Sequence, residues 1–253
     1  MTLQYCSDLH LEFPMNKEFI AENPIKPVGD ILLLAGDIIP LPVLEKANDF
    51  FNYCADHFKE TYWIAGNHEF YNGNMEGLTD ELFEKIRDNV FLVNNYSVAK
   101  ANVQLIFSTL WTQIPEETAP YIKRALNDYR IIMDGEESFS IERCNKLFTK
   151  NLEYLKKEVF NSEQEHNIVV THHVPTYTNY PEHYLNKSKL NDAFATNLDG
   201  FIEPANIHSW IFGHHHDNVG PFEIGGTQML TNQLGYVHYE EHQGYRNAAI
   251  IEL

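Results

Sequence analysis

Five short segments hold most of the side chains in this chain that bind metal ions well: Asp8 and His10, Asp37, Asn67 and His68, His172 and His173, and His214 to His216. Each follows or ends a short apolar run. Because they are spread from Asp8 to His216, they can act together only in a fold that gathers loops at one edge of a sheet. The rest of the sequence must supply that fold.

The apolar runs Leu3 to Cys6, Ile31 to Ala35, Tyr62 to Ala65, Ile168 to Val170 and Trp210 to Phe212 read as buried strands. Between the second and third, the spacing of Val43, Leu44, Ala47, Phe50, Phe51, Cys54 and Phe58 predicts a helix over Val43 to Lys59 with one apolar face. A second helix is expected from Leu78 to Arg87, then a strand at Val90 to Val93. A hairpin follows with arms Ser97 to Ala99 and Val103 to Phe107 and a turn at Lys100, Ala101 and Asn102.

From Trp111 to about Glu165 the strand rhythm stops. Helical patterns run from Ala119 to Leu126 and from Ile141 to Phe160, the latter with Ser140 placed as its N-cap. This stretch, at about 112–165, reads as a helical insertion in a single domain spanning 1–253. Asn167 to Thr171 resumes the strands, Leu190 to Ile202 reads as a helix, and the tail alternates short strands with a Gly225-Gly226 turn. The expected fold class is α/β, with two packed sheets and helices outside.

Composition narrows the function. A formal net charge of -18 with only 18 Lys and Arg argues against a nucleic-acid polymer as partner, since phosphate-backbone contact leaves a basic footprint. Small substrates fit better, and a phosphate ester would need local positive charge of the kind that bound cations supply. Cys6, Cys54 and Cys144 form neither a disulfide framework nor a CxxC zinc site, which fits a reducing cytoplasm. No apolar run approaches the roughly 18 residues that cross a bilayer, so no membrane partner is expected.

Taken singly, each cluster has a plain reading. Asp8 and His10 read equally well as loop residues past a strand, and Gly36-Asp37 is an ordinary turn signal. Gly66-Asn67-His68-Glu69 is more specific, although a polar turn accounts for it. His172-His173 and His214 to His216 are harder to dismiss, because several imidazoles at the ends of buried strands are costly without partners.

Together, in order, the segments resemble the calcineurin-like metallophosphoesterase family: DLH at Asp8 to His10, GD at Gly36-Asp37, GNHE at Gly66 to Glu69, THHVP at Thr171 to Pro175 and GHHH at Gly213 to His216. STLWT at Ser108 to Thr112 and NDYR at Asn127 to Arg130 look like segments of bacterial single-domain members. The resemblance spans essentially the whole chain. It implies a two-layer β-sandwich flanked by helices, metallophosphoesterase-like, with a two-metal site at the strand ends.

By this resemblance Asp8, His10 and His216 bind one metal, Asn67, His172 and His214 bind the other, and Asp37 bridges both. The donor set suits two transition-metal ions of the Mn, Fe or Zn type, which a shared carboxylate would hold roughly 3.5 to 4 Å apart. The implied activity is hydrolysis of a phosphoric monoester or diester, with a metal-bridging hydroxide attacking phosphorus in line. His68 matches the family's non-ligand histidine, the general acid for the leaving alkoxide; its plainer reading is a residue that orients Asn67. Glu69 reads as a partner of His68 or as a solvent-exposed turn carboxylate. His173 and His215 point away from their ligand neighbours on a strand-like backbone, leaving substrate-facing or supporting roles open.

One departure limits the reading. Protein serine/threonine phosphatases of the family extend the second motif to GDxxDR, whereas this chain has GDIIPL from Gly36 to Leu41. Protein dephosphorylation is therefore not expected. Lys123, Arg124 and Arg130 of the insertion read as substitute phosphate contacts or as ordinary helix-surface cations, the commoner use. Trp111, Tyr129 and Tyr177 read as stacking platforms or as core. The alternative function is a catalytically silent scaffold or binding module on the same fold, against which all seven expected ligand positions hold competent residues. A metallo-β-lactamase-like enzyme would need HxHxDH, which is absent.

Overall fold

The computed structural model describes residues 1–185, 189–251 and 253. In chain order its strands begin with β1 (Leu3–Cys6), β2 (Ile31–Leu34), β3 (Glu60–Ile64), β4 (Leu82–Arg87), β5 (Val90–Asn94), β6 (Tyr96–Lys100) and β7 (Val103–Phe107). They continue with β8 (Met133–Asp134), β9 (Glu137–Ser138), β10 (His166–Val170), β11 (Ser209–Ile211), β12 (Phe222–Ile224), β13 (Thr227–Leu230) and β14 (Ile250–Ile251). The α-helices are α1 (Pro14–Glu22), α2 (Asn48–His57), α3 (Ala119–Ala125), α4 (Asp128–Ile131), α5 (Ile141–Asn161), α6 (Asn191–Phe194) and α7 (Asp199–Ile202).

Two six-stranded sheets form, ordered β14-β1-β2-β3-β5-β4 and β12-β13-β11-β10-β7-β6. In each, four inner strands run parallel, β1, β2, β3 and β5 in one and β13, β11, β10 and β7 in the other. An antiparallel strand closes every edge. Period-two alternation explains why the parallel runs are apolar throughout. Leu3, Tyr5, Ile31, Leu33, Tyr62 and Ile64 share one cluster with Val103, Leu105, Phe107, Ile168 and Val170 of the other sheet. The alternate residues Leu32, Leu34, Trp63, Ile106, Val169 and Trp210 join residues of the covering helices, such as Phe51 and Leu147. Both faces of both sheets are buried, the setting that favours unbroken apolar strands. The architecture is the expected sandwich flanked by helices.

Several local expectations hold with shifted bounds. Lys100 pairs with Val103, so the β6–β7 hairpin turns through Ala101 and Asn102. Ile224 pairs with Thr227 across Gly225 and Gly226, both at positive φ (57° and 92°), as a two-residue hairpin of this hand requires. Ser140 accepts a hydrogen bond from the Arg143 amide at 3.1 Å and caps α5.

Three expected helices differ. Leu78 to Arg87 contributes β4, antiparallel to β5 with a register shift between Lys85 and Arg87; pairing at an open sheet edge overrides a helix-favouring composition. Val43 to Lys59 begins as a 3-10 segment, Leu41–Ala47, with Val43 outside helical backbone, and becomes α-helical only over Asn48–His57. Leu190 to Ile202 is not continuous. Between α6 and α7 the backbone extends, and the Val174 and Thr196 amides donate to Phe194 and Val174 carbonyls at 3.0 Å each. That pairing ties the segment to the loop after His173. The stretch between β7 and β10 carries α3, α4 and α5 and also the short β8–β9 hairpin. Among the described residues no helix is long and apolar enough to cross a membrane.

Candidate metal centre

Parallel order aims the carboxyl ends of the inner strands at one edge, and the five motifs follow there: Asp8 and His10 after β1, Asp37 after β2, Asn67 and His68 after β3, His172 after β10, His214 and His216 after β11. Their donor atoms converge. His10 Nε2 lies 3.0 Å from His216 Nε2 and 3.8 Å from Asp37 Oδ2, and His216 Nε2 lies 3.5 Å from Asp8 Oδ1. His172 Nε2 lies 3.3 Å from Asp37 Oδ2 and 3.1 Å from His214 Nδ1. Among the described residues three donor groups result, Asp8-His10-Asp37-His216, Asp37-His172-His214 and His10-Glu12-His68, with atoms mutually within 4.8 Å in each. Asp37 joins the first two.

The backbone is bent to achieve this. Asp8, His10, Asp37, His214 and His216 all occupy the left-handed region, with φ of 56°, 47°, 55°, 78° and 60°. Such residues cost on the order of 1 kcal/mol each and concentrate at functional sites. The glycines beside them leave room for it. A methyl group at Gly66 would overlap Asp37 Oδ1, and one at Gly213 would overlap Asp8 Oδ2.

Hydrogen bonds fix which atoms face inward. Nδ1 of His10 meets Glu12 at 3.3 Å, Nδ1 of His216 meets Glu241 at 2.7 Å, and Nδ1 of His172 meets the Ala35 carbonyl at 2.9 Å. With Nδ1–H donating, each Nε2 presents a lone pair to the centre. Two lone pairs 3.0 Å apart, on His10 and His216, repel unless a proton or a cation lies between them. Asn67 is oriented in the same way: its Nδ2 donates to Asp128 Oδ1 at 3.0 Å, and its buried Oδ1 has no hydrogen-bond partner among the described residues. A free amide oxygen, converging imidazole nitrogens and buried carboxylates that have no lysine or arginine partner among the described residues fit hard to borderline transition-metal ions.

Without ions, the imidazoles and carboxylates balance one another. Burial opposes charge on Asp37, yet His172 and His68 hold its carboxyl well below the usual range. Burial likewise opposes the imidazolium of His216, but Asp8 and Glu241 push it up to about 10, and Asp37 raises His172 to about 9. His214, buried and beside His173 and His172, is held well below its ordinary value.

His68 is buried and belongs to neither of the two groups that Asp37 joins, but shares the third with His10 and Glu12. Its backbone amide donates to Asp37 Oδ1 at 2.9 Å, its Nδ1 meets Glu12 at 3.1 Å, and its ring stacks on Tyr71 at 4.0 Å. Burial disfavours its charge, but Asp37 and Glu12 hold its pKa above the ordinary value. Glu69 does not touch it. The Glu69 carboxylate is fully buried and accepts from the Asp37, Ile38 and Gly66 amides and the Trp63 indole, between 2.6 and 3.0 Å. It ties the loop after β2 to the loop after β3, so neither expected role of Glu69 holds.

His173 packs between His214 and Trp111, with ring centroids 4.3 and 5.1 Å away, and burial pushes its pKa down to about 3. His215 meets Gln233 at 3.0 Å. Neither is in a donor group. Lys123, Arg124 and Arg130 lie exposed, with Arg124 and Arg130 bonded to nearby residues of the same stretch. Trp111 and Tyr129 are core, and Tyr177 is partly buried with its hydroxyl on the Ala195 carbonyl. Glu12, Asp128, Glu241 and Tyr236 complete the surroundings; Asp128 is the acidic residue of the NDYR segment, Glu12 lies two residues past His10, and Glu241 and Tyr236 carry no motif signal.

The profile of the calcineurin-like phosphoesterase family matches residues 1–218. An uncharacterized protein of Acanthamoeba polyphaga mimivirus is 30% identical over 276 residues, covering 99% of this chain and 96% of its own length. Among solved structures, the phosphopantetheinyl hydrolase of Mycobacterium tuberculosis superposes with a TM-score of 0.72 at 15% identity, over 99% of this chain and 95% of that one. A dimetal phosphatase from Danio rerio gives a TM-score of 0.51 at 15% identity, over 92% and 87%. At such identity these two likenesses speak for the fold.

Proposed function

The chain belongs to the calcineurin-like phosphoesterase family of metal-dependent phosphoester hydrolases, and from this we propose that it hydrolyses a small phosphoric monoester or diester at the centre around Asp37. Asp8, His10 and His216 would hold one transition-metal ion and Asn67, His172 and His214 the other, with Asp37 shared. The observation that carries this reading is the pair of donor groups joined at Asp37, together with the free Oδ1 of Asn67. When bound, two such ions supply Lewis acidity at phosphorus and lower the pKa of the attacking water.

The chain's own residues do the rest. Glu12 holds His68 Nδ1, which leaves Nε2 turned toward the Tyr236 hydroxyl, 3.4 Å away, as the atom that delivers a proton to the departing alcohol oxygen. Glu12 thereby supplies a carboxylate that GDIIPL lacks. The second motif, GDIIPL, carries no arginine to bind phosphate, which supports a small ester over a phosphoprotein. The free cysteines support a reducing, cytoplasmic location. Purified protein loaded separately with Mn, Fe, Zn, Ni or Co and assayed on a chromogenic monoester and diester tests the reading. Hydrolysis of at least one ester, abolished by a chelator, is expected; inactivity with every metal would favour a silent scaffold.

A further inference from the structure

A recess of about 400 Å³ opens beside the metal-binding loops. Phe13, Met15 and Asn16, just after the first motif, form one side, and Tyr236, His238 and Tyr239, after β13, form the other. Tyr236 is common to the recess and the metal centre. Its ring centroid lies 4.7 Å from His10 and 4.5 Å from His216, and its hydroxyl is the group 3.4 Å from His68 Nε2. The Phe13 ring stands at 90° to Tyr236 with centroids 5.4 Å apart, and Tyr239 lies 6.0 Å away.

Three large apolar side chains are left open to solvent here, Phe13 at 42%, Met15 at 47% and Tyr239 at 70% exposure. Apolar groups gathered at the mouth of a polar centre mark a binding surface. The two sides are pinned together before any ligand arrives. Asn16, at 1% exposure, donates to the Leu9 and Gly235 carbonyls at 3.0 and 2.7 Å and accepts from the Val237 amide at 3.1 Å. No lysine, arginine, aspartate or glutamate is among the described residues lining the recess.

We infer that this recess binds the alcohol portion of the phosphate ester, and that this portion is apolar, uncharged and best matched by a flat ring. The inference rests on the proposed phosphoesterase activity. Water adds to phosphorus and gives up a proton to solvent, the bond from phosphorus to the alcohol oxygen breaks, and the proton from His68 Nε2 ends on that oxygen, after which His68 regains a proton from solvent. The departing group must then lie on the Nε2 side of His68, where Tyr236 forms the wall. A second phosphate or a carboxylate on the alcohol would find no lysine or arginine among the described lining residues, only the His238 imidazole, in a chain whose net charge is -18.

Calorimetry on Mn-loaded protein with three non-hydrolysable phosphonates tests this. 2-Phenylethylphosphonate should bind about tenfold tighter than ethylphosphonate, the gain expected for burying one ring, while 2-carboxyethylphosphonate should gain nothing. Met15→Ala and Tyr239→Ala should each remove most of the preference and leave ethylphosphonate binding unchanged. Equal affinities in the native protein, binding of no probe, or a preference that survives both substitutions would overturn the inference. The proposed activity is read separately, from turnover of ethyl and 2-phenylethyl phosphate. Failure to cleave either ester while the phenyl preference persists would sink the activity and leave the recess standing.

Discussion

Nδ1 of His68 lies 3.1 Å from Oε1 of Glu12, the same oxygen that lies 3.3 Å from Nδ1 of His10. One carboxylate therefore orients both a proposed metal ligand and the proposed proton donor. Burial opposes its ionisation, but the hydrogen bonds from His10 and His68 hold its pKa down to about 2. The two halves of the proposed chemistry are coupled through a residue that lies outside the DLH core of the first motif.

His68→Ala should leave metal content intact and lower turnover by about 10²- to 10⁴-fold, the usual range for a positioned acid. The loss should be larger for an alkyl ester than for a nitrophenyl ester, whose alcohol leaves without a proton. Glu12→Gln should show the same dependence on leaving group with a smaller loss. Steady-state kinetics on the two esters, alongside metal analysis, checks both; equal losses on both esters would remove the general-acid role.

Glu69→Gln tests a structural tie. Four N–H donors converge on the two buried carboxylate oxygens, and an amide would turn its own NH₂ against two of them. An unsatisfied buried group costs about 1 to 3 kcal/mol, more where a charge is involved. Urea unfolding of metal-free protein should show a loss of about that size, and an unchanged midpoint would contradict the assigned role.

Removing the metals should make stability depend on pH in a defined direction. In the metal-free protein His172 and His216 have pKa values raised to about 9 and about 10, against an ordinary value of about 6.5. A raised pKa contributes stability that is fully present below the unfolded value and is lost as pH rises through the folded one. Chelator-treated protein should therefore melt at progressively lower temperature from neutrality toward about pH 10, beyond any change shared with the loaded form. Metal-loaded protein, whose imidazoles are already deprotonated by their ions, should lack that extra fall. Parallel melting curves for the two forms would count against the buried charge balance.

Much of the fold was legible because parallel strands buried on both faces leave unbroken apolar runs, as at Ile31 to Leu34 and Ile168 to Val170. The seven candidate ligands were legible because each sits at the end of such a run. What surrounds them was not. Asp128 reaches Asn67 across 61 residues and Glu241 reaches His216 across 25, contacts that no local pattern encodes. β4 was hidden for a related reason: Leu82–Arg87 has the composition of a helix, and only its pairing with β5 decides otherwise. Leu190 to Ile202 was misread because Ala195 is drawn into a bridge with Val174.

Asp37→Asn tests the centre most directly, because Asp37 joins the Asp8-His10-Asp37-His216 and Asp37-His172-His214 groups. Metal content after dialysis should be two equivalents per chain in the native protein. In the variant it should fall below one and a half, with hydrolysis of a chromogenic phosphodiester lost by about 10³-fold or more. A variant that keeps both equivalents and native turnover would contradict a two-metal centre built on Asp37.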